Sequence, residues 1–308
     1  METEFLDWLR GRLGQHRRLP LGINDDAALL ELRSTDTAPP GCVMTVDLLT
    51  EGVDFRLAET TPELIGRKAL AVSLSDLAAM AARPSAALVA AALPRADALN
   101  LAKRLYDGLL PLAERYDVAI AGGDTNTWDG PLVISVTAVA EVGSRGPLRR
   151  DGARPGDAIL VTGAFGGSIL GKHFDFEPRI EEALLLHERY RLHAGMDVSD
   201  GLSLDLSRLC AASGCGAVLD LEAVPITDAA RRLAAERADG ATPLDHALTD
   251  GEDFELLLAA PPEEARRLVA KQPLSVPVTI IGEFIAQPGL WRRESSQLAP
   301  LAARGYLH

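Results

Sequence analysis

The sequence predicts an α/β (α+β) protein of two domains, an N-terminal mixed sheet carrying helices and a C-terminal α/β domain. Three observations predict it. Short apolar strands alternate with amphipathic helices along the whole chain. Composition breaks at residues 143–156, a stretch rich in Gly, Arg and Pro that divides residues 1–145 from 146–308. At 308 residues and 47% hydrophobic content, the chain can fill two ordinary cores. Its 44 acidic residues against 31 basic ones give a net charge of −13. That balance disfavours nucleic acid, whose phosphates select basic faces. No apolar run approaches the ~20 residues of a membrane span, so no membrane partner is expected. The start Met-Glu-Thr-Glu-Phe-Leu-Asp-Trp is too acidic for a signal peptide. Cys42, Cys210 and Cys215 have neither disulfide-framework nor zinc-ligand spacing, which suits reduced cysteines in a cytoplasmic protein.

Taken in order, residues 4–14 read as a short amphipathic helix, and Gly22 and Asn24 as a turn into a strand over 27–32. A buried strand follows at 42–50. Thr61-Pro-Glu has the chemistry of a helix start, and that helix ends near Arg83-Pro84. Residues 85–94 form a strand and 98–116 an amphipathic helix on Leu101, Leu105, Leu109 and Leu112. Residues 117–124 read as a strand closed by a glycine turn, which puts Asp124 at a strand end, and 132–142 alternate like a strand. Beyond the break, strands are expected at 157–163, 217–221 and 278–283, and 249–258 reads as an acidic turn leading into a strand. Helices are expected at 177–192, 202–213, 225–247 and 262–271.

One feature of the helix Lys68–Met80 is out of place. On helical spacing Asp76 falls in line with Ile65, Ala69, Val72 and Met80, a face that reads as buried. An unpaired buried carboxylate costs several kcal/mol, so Asp76 needs a counter-charge or a kink to justify it. The same anomaly recurs. Asp26, Asp47, Asp124, Asp197 and Asp200 all lie at strand ends or inside apolar segments, with almost no Lys or Arg beside them in sequence. Oxygen-only sites of this kind suit hard cations, chiefly Mg²⁺. By contrast, Gly166-Gly-Ser-Ile-Leu-Gly-Lys172 matches most of a P-loop but continues with His173 where Ser or Thr would hold Mg²⁺. Lys172 is therefore expected to be a solvated helix residue.

Several segments together are more specific than any alone. They are Gly22-Ile-Asn-Asp-Asp-Ala-Ala28, Asp47-Leu-Leu-Thr-Glu-Gly-Val-Asp-Phe55, Lys68–Met80, Gly122-Gly-Asp-Thr125, Asp197-Val-Ser-Asp-Gly-Leu202 and Gly251-Glu-Asp-Phe-Glu-Leu256. In type and order they resemble the thiamine-monophosphate kinase family, within the superfamily of aminoimidazole-ribonucleotide synthetase and selenophosphate synthetase. The resemblance implies transfer of the ATP γ-phosphoryl group to thiamine monophosphate, with several Mg²⁺ ions, in a homodimer whose N-terminal sheets pair as a barrel. By matched position it implies Asp26, Thr45, Asp47, Asp76, Asp124, Asp197 and Asp200 as metal ligands, with Asp76, Asp124 and Asp200 central to catalysis. It places Tyr106, Gly123, Asp124, Arg150 and Ser199 on ATP, and Asp54, Glu252 and Tyr306 at the acceptor.

The acceptor positions depart from the family. Asp54 stands where its loop usually carries His. Ala303 stands at a usual tail aromatic, with Tyr306 three residues on. Asp250 and Asn24 replace common glycines. Two other readings therefore stay open at the level of sequence: a related ATP-dependent enzyme with a different acceptor, and a nucleotide-binding paralogue without activity. A selenophosphate-type enzyme would need a reactive Cys in a glycine-rich loop, whereas Cys42 opens an apolar strand.

Overall fold

The computed structural model describes residues 25–31, 41–237, 240–294 and 297–306. The helix expected at 4–14 and the turn at Gly22 and Asn24 lie outside the described residues. The N-terminal elements are β1 (Ala28–Glu31), β2 (Gly41–Thr50), α1 (Pro62–Ala79), β3 (Arg83–Pro94), α2 (Ala98–Arg115), β4 (Ala119–Trp128) and β5 (Val133–Glu141). Their five strands run β1-β2-β5-β3-β4. Only β3 and β4 pair in parallel, and α2 makes the crossover such a pair requires.

Side chains alternate across this sheet. Val43, Thr45 and Leu49 of β2 and Val89 of β3 point inward toward α1, while Val46, Leu48 and Leu88 point outward and are exposed. The helix α1 begins on Thr61, whose hydroxyl accepts from the Leu64 N–H, with Pro62 at its first position. It is buried nearly all round because it lies between this sheet and the C-terminal elements.

The C-terminal elements are β6 (Ala158–Thr162), α3 (Lys172–Asp175), α4 (Ile180–Arg189), β7 (Ala194–Asp197), α5 (Leu202–Ser213), β8 (Gly216–Leu219), α6 (Asp228–Glu236), α7 (Pro243–Thr249), β9 (Leu256–Ala260), α8 (Pro262–Lys271), β10 (Val278–Ile285), β11 (Gly289–Glu294) and β12 (Gln297–Pro300). They form a seven-stranded sheet ordered β12-β11-β8-β10-β6-β9-β7. Strands β6 and β9 are buried on both faces. Leu160 and Leu258 join the core that also holds α1, whereas Ile159, Val161, Leu257 and Ala259 join a second core under α5. No described helix is long and apolar enough to cross a membrane.

One strand runs further than its sequence suggests. β4 continues through Gly122 and Gly123 to Trp128, so Asp124 lies within a strand and not at its end. The glycines permit close pairing with β3: a Cβ on Gly123 would lie 1.7 Å from the Val89 carbonyl oxygen.

Candidate active site

Three of the anomalous acids converge. Asp76 on α1, Asp26 just ahead of β1 and Asp197 at the end of β7 each offer a carboxylate oxygen, and these oxygens lie within 4.8 Å of one another. Hydroxyls hold them in place. Thr45, on the inward row of β2, donates to Asp76 at 2.5 Å. Ser75 donates to Asp197 at 2.5 Å. Ser73, one turn before Asp76, donates to Asp47 at 2.6 Å. Asp26 is paired with Arg150, whose Nε donates at 2.8 Å and whose Nη2 reaches the other oxygen. The Arg150 backbone N–H also donates to Asp25 at 3.1 Å.

This cluster has a strained charge balance. Burial, then the charges of Asp47, Asp197 and Asp26, push the Asp76 carboxyl well above the usual range. Burial, then Asp26, does the same to Asp197. Burial raises Asp47 as well, and burial followed by Asp26 raises Asp25 to about 7. Arg150 is one counter-charge among several carboxylates. A hard divalent cation would relieve the rest, and an all-oxygen donor set of carboxylates and a threonine hydroxyl fits one. Asp26, Asp76 and Asp197 are the residues placed to hold it, with Thr45 and Asp47 alongside.

A second acidic group adjoins the first in sequence. Asp200 and Asp205 both pair with Arg208. Asp205 accepts from the N–H groups of Ser199 and Asp200 at 3.0 and 2.9 Å and so shapes the loop after β7. The Ser199 carbonyl in turn accepts from the Glu252 N–H at 2.6 Å. Two of the acids that have no basic neighbour in sequence, Asp26 and Asp200, thus gain an arginine from elsewhere in the fold.

Asp124 does not join the cluster. Cross-strand neighbours share a face, and Asp124, Ala90, Ser135 and Leu48 lie in one row. That is the outward face. Asp47 lies in the next row, with Val136, Val89 and Gly123, on the inward face. Gly123 and Asp47 are three strand spacings apart, about 14 Å. Tyr106 is half-buried on α2.

At the acceptor positions, the Asp54 carboxylate accepts from the Thr50 N–H at 2.7 Å and thereby closes its own loop. The Tyr306 N–H donates to the Asp200 carbonyl at 2.9 Å, and its side chain is exposed. Glu252 is partly exposed and forms an ion pair with Lys68 at 2.5 Å. The sequence alone assigns Lys68, Ser73, Ser75 and Arg208 no role. The one available signal was small hydroxyl residues flanking the acid in Ser73-Leu-Ser-Asp76.

The glycine stretch at 166–172 is no phosphate cradle. The Gly166 and Gly167 N–H groups are taken by the carboxylates of Asp253 and Asp250. Nor is Lys172 a solvated helix residue, because it donates to buried Glu255 at 3.0 Å. Burial raises Asp253 to about 7, against the opposing pull of Lys172. A carboxyl raised on folding contributes stability below its unfolded pKa and loses it as pH rises through the folded value. Asp253→Asn keeps an acceptor for Gly166 and removes that loss. Thermal melts should therefore show the variant gaining on the parent chain between pH 5 and pH 8; a constant difference would contradict the assignment.

Comparison with known proteins places this geometry. Residues 24–142 match the profile of AIR synthase related protein, N-terminal domain, and residues 140–291 that of AIR synthase related protein, C-terminal domain. A thiamine-monophosphate kinase of Rhodopirellula baltica is 46% identical over 312 residues, covering 100% of this chain and 97% of its own. A solved structure of AaThiL complexed with AMPPCP and TMP superposes with a TM-score of 0.81 at 26% identity, covering 96% of each chain. The crystal structure of thiamine-monophosphate kinase from Stenotrophomonas maltophilia K279a gives a TM-score of 0.72 at 36% identity, covering 94% of this chain and 95% of that one.

Proposed function

Because the chain belongs to the thiamine-monophosphate kinase family, we propose that it transfers the γ-phosphoryl group of ATP to thiamine monophosphate, giving thiamine diphosphate and ADP. The observation that carries this reading is the convergence of Asp26, Asp76 and Asp197 within 4.8 Å. The acceptor oxygen belongs to a phosphate monoester whose second pKa is about 6, so it is largely ionised at neutral pH. A general base is not needed. The obstacle is electrostatic, since two polyanions must meet in line. Mg²⁺ bound at the carboxylate cluster would neutralise phosphate charge. Asp26, Asp76 and Asp197 would hold it, with Asp47 and Thr45 beside them and Asp200 on the adjoining loop. Arg150, which pairs with Asp26, would exchange that carboxylate for a nucleotide phosphate. Ser199 and Tyr106 would bound the nucleotide, and Glu252 the acceptor.

The same reading makes the protein a homodimer. Val46, Leu48 and Leu88 are 64%, 61% and 46% exposed on the outward face of the five-stranded sheet. An apolar face of that kind calls for a covering partner. Asp124 and the neighbouring Gly123 would then lie at or near the seam between copies.

The direct test incubates the purified protein with Mg²⁺, ATP and thiamine monophosphate and follows thiamine diphosphate by chromatography. Stoichiometric thiamine diphosphate and ADP are expected. ATP binding without that product would sink the reading and favour a different acceptor, which the self-closing Asp54 loop would then explain.

A further inference from the structure

Lys68 is a cation in a place that stability does not explain. Its side chain is fully buried on α1 and reaches the loop at 50–55. A buried ion pair is often no more stabilising than apolar residues of the same volume. What distinguishes Lys68 is what it touches. Its Nζ lies 2.5 Å from Glu252 Oε1, donates to the Asp54 carbonyl at 3.0 Å and stands 5.3 Å from the centre of the Phe174 ring. These partners come from three stretches of chain far apart in sequence.

Glu252 is held in an unfavourable backbone conformation, with φ at +52°. Phe254, two residues on, is at +51° and stacks on Phe176 with ring centroids 3.9 Å apart. Residues with side chains persist in this region only where their surroundings fix them, and such positions gather at functional sites. The Glu252 side chain is 33% exposed, so one carboxylate oxygen is anchored while the group still reaches solvent.

We propose that Lys68 is a positioning residue for the acceptor. It fixes Glu252 by one oxygen and the 50–55 loop by the Asp54 carbonyl. The Glu252 carboxylate then meets an N–H donor or a cationic ring on the acceptor in a single orientation. Lys68 and Asp76 stand two turns apart on one rigid helix, about 12 Å along its axis. The helix therefore sets the distance between the cation cluster and the far end of a phosphorylated, nitrogen-bearing acceptor. The inference rests on the proposed kinase reaction and adds to it the residue that sets acceptor recognition.

The test compares Lys68→Met, Glu252→Gln and the double variant in steady-state kinetics with ATP and thiamine monophosphate. Met keeps the length of the apolar stem and removes the ammonium. Each single variant should raise the acceptor KM about ten- to a hundredfold, the scale of one charge-assisted contact. The KM for ATP and kcat should move by no more than about twofold. The double variant should be no worse than the worse single, because Lys68 acts through Glu252. An unchanged acceptor KM in Lys68→Met, or multiplying losses in the double variant, overturns the inference while wild-type turnover leaves the kinase reading standing. If Lys68→Met does not fold, Glu252→Gln decides alone, and an unchanged acceptor KM overturns the inference. Failure of the wild type to phosphorylate thiamine monophosphate sinks the reading itself and this inference with it.

Discussion

Asp76→Asn is expected to lower turnover by about a thousandfold, on the scale of several kcal/mol for a lost metal-centred charge contact, and to leave the chain folded. The geometry supports both halves. Asp76 shares the cluster with Asp26 and Asp197, and its Oδ2 accepts from the Thr45 hydroxyl. Asn preserves an oxygen acceptor for Thr45 and the shape of the side chain, so the helix has no packing reason to move. The charge that would hold a cation is lost. The metal-free protein should respond in the opposite sense. Burial, then Asp47, Asp197 and Asp26, raise the Asp76 carboxyl well above its ordinary value. Its stabilising contribution is complete below the unfolded pKa of about 3.8 and declines as pH rises through the folded value. At neutral pH the unliganded variant should melt higher than the wild type. Mg²⁺ should then raise the wild type's melting temperature by mass action and barely move the variant's. A variant that keeps its turnover would remove Asp76 from the site.

The parts of this site that the sequence disclosed are those carried by local pattern. An acid inside an apolar helix, as at Asp76, or inside an apolar strand, as at Asp47, contradicts its surroundings and shows without a fold. The same holds for the elements. Thr61-Pro62 marks the start of α1, and strict alternation marks β5. What stayed hidden depends on distant partners. Arg150 is 124 residues from Asp26, and Lys68 reaches a carboxylate 184 positions away in sequence. No periodicity encodes such pairings. Asp124 was hidden for another reason. Gly122-Gly123 reads as a turn because glycine punctuates chains, yet here both glycines lie inside β4, and at Gly123 close approach to β3 leaves no room for a Cβ. A strand that continues through them sets which face Asp124 occupies.

That face leads to the second large effect. Asp124 points outward and the Asp26–Asp76–Asp197 cluster lies on the inward side, so one chain cannot bring them together while the sheet stays intact. If Asp124 belongs to the same reaction, it must serve the cluster of a second copy. Chains carrying Asp76→Asn and chains carrying Asp124→Asn should each be nearly inactive alone. Unfolded together and refolded, they should recover activity. Random pairing makes half of the dimers mixed, and each mixed dimer holds one site with both acids intact, so recovery should approach roughly a quarter of the wild-type rate. Action within one chain predicts no recovery, because every site would then lack one acid. Leu88→Glu supplies the companion measurement. A buried, unpaired carboxylate at an apolar seam costs several kcal/mol, enough to turn a dimer into monomers at micromolar concentration. Sedimentation should show the monomer, and its turnover should fall with dissociation even though Leu88 lies on the face away from the cluster. A monomer with full turnover would show that Asp124 has no part in the chemistry and that the exposed row of β2 and β3 serves assembly alone.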